Sequence, residues 1–251
     1  MLIDSLKMPS MFVTLGIFYT FLCVLFIVDS IIKGYWHGIV NNTFKIVLNN
    51  KIIFVFYVIT ILLIILFFDN SIFLWCKYHY NIHLYTFLDF FCSIGETWFI
   101  VGLSIAIMLI AKLLKANYIS KVFELSSSIA IYSGLFNAIF KFILNRERPS
   151  IGGNPLNFFR FLTAAQPKLI DLTYAYNSMP SGHTITIASS LTVIFLAFEN
   201  KIIKLICLFF MLMVPIARVY TLNHWFSDVF TSFVIGFLFG YVVYQTHLTR
   251  G

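Results

Sequence analysis

The sequence predicts an all-α protein built as a polytopic transmembrane helix bundle, and three observations predict it. Hydrophobic residues make up 60% of the chain and charged residues only 11%, where soluble domains carry about a quarter charged residues. The apolar residues fall in unbroken runs long enough to cross a hydrocarbon core of about 30 Å. Those runs do not alternate, which excludes a barrel, whose strands would be about ten residues long and apolar on one side only.

Seven runs qualify. The first, Phe12 to Ile32, lacks a small-residue cleavage site and ends among Asp29, Ser30 and Lys33, so it reads as a retained transmembrane or interfacial helix and not as a removed signal. The second, Ile52 to Phe68, holds no charge and a single aliphatic hydroxyl, Thr60, before Asp69 closes it. The others are Thr97 to Leu114, Val122 to Leu144, His183 to Phe198, Ile202 to Ala217 and Phe226 to Tyr244. With no internal repeat and no low-complexity linker, residues 51–251 read as one unit, preceded by an N-terminal helix and inner loop over 1–50.

Lys and Arg gather on the cytoplasmic side of membrane proteins. One set of loops holds Lys33, Lys45, Lys51, Lys112, Lys115, Lys121, Lys201, Lys204 and Arg250, and placing it inside puts segments 69–96, 145–182 and 218–225 outside. Trp75, Tyr78, Tyr80, Tyr85 and Trp98 in and beside the first outer segment suit headgroup level, so short surface helices are expected there. The formal net charge of +7 comes without any basic run of five, so membrane topology explains it and nucleic acid is not the partner. Cys23, Cys76, Cys92 and Cys207 are too scattered for a metal cluster. Cys76 and Cys92 share an outer segment and are read as free thiols, a disulfide between them being the alternative.

Polar residues inside a membrane are costly, so their placement is informative. Here they collect at three outer helix ends. Lys141 is followed after six residues by Arg148 and Pro149, whose ring turns the chain out of helical geometry and brings two cations to one spot. Pro180, Ser181, Gly182 and His183 open the fifth run, where free backbone amides and the helix dipole make a seat for an anion beside an imidazole. Arg218 is followed by His224 and then Asp228, the last two four apart and on one helical face, so that the carboxylate can orient the ring. Glu147 reads as a surface partner of either Arg146 or Arg148, and Ser126 to Ser128 as small residues for helix packing. The loop 150–179, with Gly152, Gly153, Arg160 and Lys168, is long enough to cover a headgroup.

In order and spacing these three motifs resemble the type 2 phosphatidic acid phosphatase family, which shares its fold and site with vanadium-dependent haloperoxidases. The resemblance covers about residues 97–245 and implies a six-helix core with an additional N-terminal helix. It departs at Ala217, where the family usually has serine before the arginine. It implies that His224 attacks phosphorus, that Asp228 orients it, and that His183 protonates the leaving group and then activates water. Lys141, Arg148 and Arg218, with Ser181 and the amide of Gly182, would hold the phosphoryl oxygens. No metal or other cofactor is implied.

The partner implied is a phosphorylated membrane lipid within the bilayer: lipid A, phosphatidylglycerophosphate, phosphatidate or a polyprenyl pyrophosphate. The location expected is a bacterial inner membrane with the site facing the periplasm. A lipid phosphotransferase is the near alternative. A membrane protein that binds or transports lipid without chemistry is the distant one.

Overall fold

The computed structural model describes residues 35–159 and 174–248, which are helical apart from short connections. The expected first span with Cys23, and the stretch of the long loop that carries Arg160 and Lys168, lie outside the described residues. Helix α1 (Tyr35–Asn49) occupies the segment expected to be an inner loop. It packs along the C-terminal half of the last helix, where Asn42 Nδ2 donates to Thr246 Oγ1 at 2.8 Å.

Helix α2 (Lys51–Leu63) does not end at Asp69 as its sequence suggests. A π-helical turn, Ile64–Phe68, carries it into α3 (Asp69–Tyr78), giving one helix of 28 residues. A charge ends an apolar run only where it faces lipid. Here the wide turn rotates Asp69 into the bundle, where it is buried and paired.

The expected surface helix of the next segment exists as α4 (Ile82–Ile94), started by Asn81, whose side chain accepts from the amides of His83 and Leu84. It is more than a surface helix. Leu88, Phe91 and Cys92 are buried, and the Phe91 ring packs edge-on against Phe209, 5.7 Å between centroids. At its start the Tyr220 hydroxyl clamps the connection, accepting from Asn81 N and donating to His79 O.

Helix α5 (Thr97–Leu113) bends away from α4 by 54° and pairs with α6 (Asn117–Leu144). Helix α6 lies against α7 (Gly182–Ala197), which is the centre of the molecule: residues 184–190 of α7 are all buried. Serines join the two helices, Ser126 Oγ to Ser190 Oγ at 2.6 Å and Ser189 Oγ to Ser133 Oγ at 2.9 Å. The other side of α7 takes α9 (Phe226–His247), and two glycines one turn apart bring the backbones together. A Cβ at Gly236 would stand 2.6 Å from Ile185 O, and one at Gly240 2.5 Å from Ser189 O. Helix α8 (Lys201–Tyr220), started by Asn200, completes the packing against α4 and α7.

Two apolar clusters fill the bundle. One joins α4, α5, α6 and α8 around Phe91, Val101, Val214 and Ala217; the other joins α6, α7, α8 and α9 around Leu125, Ile129, Val193 and Val242. Among the described residues four helical stretches are long and apolar enough to cross a membrane, five with α4 and α5 taken as one bent span, and α7 is a shorter apolar helix. The chain is thus an all-α integral membrane protein. Cys76, Cys92 and Cys207 are buried free thiols.

Candidate active site

The start of α3, the C-terminal ends of α6 and α8 and the N-terminal ends of α5, α7 and α9 meet at one end of the bundle, and every motif residue sits there. Helix α6 ends at Leu144, with Asn145 in the left-handed conformation at φ 37°. That turn sends the chain into the extended stretch Arg146 to Arg148, which is buried throughout. The two flanking loops are tied to this stretch. Arg148 N donates to Ala175 O, Ser178 N donates to Arg146 O, and the Trp225 indole donates to Glu147 O at 2.7 Å. Arg148 Nη1 donates to Asn223 O and Nη2 to Asn177 O, so its guanidinium holds both loops while facing the site.

His224 sits in the turn between α8 and α9, where its amide donates to Arg218 O. Its ring is 1% exposed. Nδ1 lies 2.6 Å from the carbonyl oxygen of Ser178, an acceptor only, so Nδ1 carries the proton and Nε2 keeps its lone pair. Asp228 is therefore not the direct partner of the ring. Its Oδ2 lies 3.7 Å from Nδ1 and instead accepts from Ser178 Oγ and from Trp225 N, so the carboxylate fixes the residue whose carbonyl fixes the imidazole. Burial first, then the charges of Arg148, Arg218, Lys141 and His183, hold the imidazole well below its ordinary value. At neutral pH the ring is an uncharged base with one free nitrogen.

Those same couplings show which side chains converge: Lys141, Arg148, His183 and Arg218 all act on His224. The structure thus brings together His224, His183, Lys141, Arg148 and Arg218. Ser181 and Gly182 begin α7 beside them. Ser181 is tightly held, its amide donating to Ser232 Oγ and its hydroxyl accepting from Thr184 Oγ1. A Cβ on Gly182 would come 3.1 Å from Asn137 Nδ2, a tight contact that the Asn137 amide would have to relieve by a few tenths of an ångström. His224 Nε2 and Arg218 Nε are buried polar atoms with no protein partner. Orphaned donors and acceptors of this kind mark a place for a ligand.

Ala217, where a hydroxyl is usual, is fully buried in the apolar cluster with Val214 and Tyr220. Its backbone does the local work, Ala217 O accepting from both the amide and the hydroxyl of Thr221.

Four residues were not found from the sequence, the first being Asp69, whose carboxylate accepts from Arg146 Nη2 and from Ser227. Glu96, in the break before α5, places Oε1 3.0 Å from His183 Nε2. This hydrogen bond first, with the charges of His183, Arg218 and Lys141, lowers the Glu96 carboxyl from its ordinary value against the opposing effect of burial. Arg146, read as a surface residue, is fully buried and pairs with both Asp69 and Asp228. Glu147 is buried as well, its carboxylate accepting from Asn157 Nδ2 and the amide of Asn154. An acid inside an apolar run and an arginine two residues before a motif arginine were the available signals. Among the described residues no three His, Cys, Asp or Glu side chains are arranged to hold a metal ion.

An apolar groove of about 520 Å³ runs along α3, α8 and α9, lined by residues that include Trp75, Leu212, Ile216 and Phe233. Ile72, Val219 and Phe226 line it and also border a crevice too tight for a water molecule that touches His224 and Pro149, so groove and site share a wall.

No curated protein matches the chain. Among solved structures it is similar to the first transmembrane PAP2 type phosphatidylglycerolphosphate phosphatase from Bacillus subtilis, with 19% identity, a TM-score of 0.54, and coverage of 78% of this chain and 96% of that one. It is also similar to LpxE from Aquifex aeolicus, with 19% identity, a TM-score of 0.49, and coverage of 70% of this chain and 94% of that one. The Bacillus likeness is one of fold. The PAP2 superfamily model matches residues 121–251, the half of the chain that carries all three motifs. By that match and by the motifs it spans, the chain belongs to the PAP2 superfamily.

Proposed function

We propose that this protein is a membrane lipid phosphatase that hydrolyses a phosphate or pyrophosphate ester through a phosphohistidine on His224. The observation that carries the reading is the state of the His224 ring. It is neutral, its Nδ1 proton is committed to Ser178 O, and its unpartnered Nε2 stands among Lys141, Arg148 and Arg218. Three cations at a buried site need an anion, and a phosphoryl group supplies one.

In the first step the Nε2 lone pair attacks phosphorus in line and the bond to the lipid oxygen breaks. His183 enters this step as the imidazolium, its Nε2 proton held by Glu96 across 3.0 Å, and gives the proton of its other ring nitrogen to the departing alkoxide. The imidazolium formed at His224 is stabilised by Asp228 through Ser178 and through the field of the carboxylate. In the second step His183, now neutral, takes a proton from water as that water attacks phosphorus. Nε2 leaves as neutral imidazole and inorganic phosphate is released. Lys141, Arg148, Arg218 and the start of α7 hold the equatorial oxygens through both steps. The adjoining apolar groove supports a lipid as the carrier of the phosphate, because hydrocarbon at membrane depth is what such a surface accepts.

The test is phosphate release from purified phosphatidate, phosphatidylglycerophosphate, lipid A and polyprenyl pyrophosphate, with and without chelator, by wild type and His224→Asn. Wild type should release phosphate from at least one of them and form an acid-labile phosphoenzyme, and His224→Asn should do neither. Release that persists in His224→Asn would sink the nucleophile assignment. Transfer of the phosphate to a second lipid in place of water would make the protein a phosphotransferase using the same intermediate.

A further inference from the structure

Between the first long helix and Asp228 lie two buried charges, Asp69 and Arg146, that the steps above do not use. Arg146 is 0% exposed, Asp69 1% and Asp228 0%. Every N–H of the Arg146 guanidinium is engaged. Nε and Nη2 donate to Pro155 O at 3.0 and 2.7 Å, Nη2 to Asp69 Oδ2 at 2.7 Å, and Nη1 to Ser227 Oγ at 2.7 Å and to Asp228 Oδ1. Phe158 covers one part of the plane, its ring centroid 4.6 Å from Cζ. Asp69 is equally satisfied, accepting from Ser227 N at 2.8 Å and Ser227 Oγ at 2.6 Å. From Asp228 the connection runs on through Ser178 to His224 Nδ1.

A single guanidinium holding Asp228 alone would orient it and also cancel its charge, leaving nothing to favour the imidazolium that forms on phosphoryl transfer. With Asp69 on the far side, Arg146 is already matched, and the three groups together keep one net negative charge under the ring. The planar fork of arginine can grip two carboxylates at once, which a lysine cannot do. Asp69 reaches this position only because the π turn rotates the helix there. We infer that Asp69 and Arg146 are positioning residues that fix Asp228 while preserving a net negative charge beneath His224.

This inference rests on the phosphohistidine reading of His224. The charged and titratable groups facing the ring are Lys141 from α6, Arg148 from the stretch after it, His183 from α7, Arg218 from α8 and Asp228 from α9, with Arg146 and then Asp69 of α3 behind Asp228. Glu96 faces His183 from the other side. Changing one charge in this set moves the proton affinity of His224, and the acid limb of kcat/KM reports it.

Three variants form a charge cycle. Asp69→Asn takes the bridge from a net charge of −1 to 0, Arg146→Gln takes it to −2, and the double variant returns it to −1. The acid limb should therefore move down by about one pH unit in Asp69→Asn and up by a similar amount in Arg146→Gln. In the double variant it should come back near the wild-type position. Turnover of Asp69→Asn should fall about 10- to 100-fold with KM changed less than about threefold, as for an interaction made in the transition state. Asp69→Glu, which keeps the charge, should recover part of that loss.

Each variant is assayed as the full-length protein in detergent, with phosphatidate or whichever lipid phosphate wild type turns over, after gel filtration and circular dichroism. Any one variant recovered folded carries the test. Acid limbs that coincide with wild type, or activity that falls only with the folded fraction, would show a purely structural bridge and overturn the inference. His224→Asn separates the two failures. If it is inactive while the limbs coincide, only the bridge inference falls; if it is active, the nucleophile assignment falls with it.

Discussion

His224 and Asp228 stand four residues apart, and their spacing alone suggests a direct pair. The structure puts Ser178 between them, a residue from a loop 46 positions earlier, and no helical periodicity could have announced it. Glu96 is the same kind of partner for His183, and its carboxyl gives a test that needs no substrate. Its value is lowered in the folded protein, so on acidification the unfolded chain binds the proton first. The stability contributed by Glu96 is complete above its ordinary value of 4.5 and is lost as pH falls through the lower folded value. Between about pH 5 and pH 3 the melting temperature of wild type should therefore drop more than that of Glu96→Gln, measured in the same detergent. Equal slopes would show that the carboxyl makes no contribution. The motif residues Lys141, Arg148, His183, Arg218 and His224 were legible because their types and spacing describe a phosphate site without reference to the fold. Asp69, Glu96 and Arg146 were not, since each gains meaning only from a residue far away in the chain.

Among the elements, continuous apolar runs marked the helices from the third run onward to within a few residues, although α7 is too short to count as a span, and local physics explains where the others misled. A run interrupted by Asp69 reads as finished, yet the helix continues, because the carboxylate meets a guanidinium and two donors of Ser227 instead of lipid. The segment expected as an inner loop forms α1, with Ile46 packed into the second apolar cluster and polar Asn42 bonded to Thr246. The seam between α7 and α9 is the most demanding contact in the bundle, since Gly236 and Gly240 face backbone carbonyls and not flexible side chains. Gly240→Leu should lower stability by about 1–3 kcal/mol or more, seen as a reduced melting temperature of the purified protein. It should also lower activity, because α9 carries Asp228 at its first turn and α7 carries His183 at its own. A melting temperature equal to that of wild type would mean that the helices are free to separate at this point.

For the molecule as a whole, burial at one end of the bundle is matched by exposed apolar surface along its length, including Phe56, Phe67, Leu103, Leu205 and Leu212. Water would not tolerate that surface, and a bilayer requires it. The groove along α3, α8 and α9 is the concave part of this face, and Val219 stands where it meets the crevice at His224. Val219→Trp should raise KM about tenfold for a long-chain lipid phosphate while leaving a short-chain, water-soluble analogue nearly unaffected. Equal effects on both would separate the groove from the substrate. Helix α7 has another consequence. With 16 residues it is about 24 Å long, several ångströms less than the hydrocarbon thickness of an average bilayer. The membrane must dimple around the centre of the bundle, or the first turn of α7 must sit recessed below its rim. Either way a phosphoester would descend to be cleaved, so bilayer thickness becomes a control on turnover. In vesicles of graded acyl length, the thinner ones should support the faster reaction.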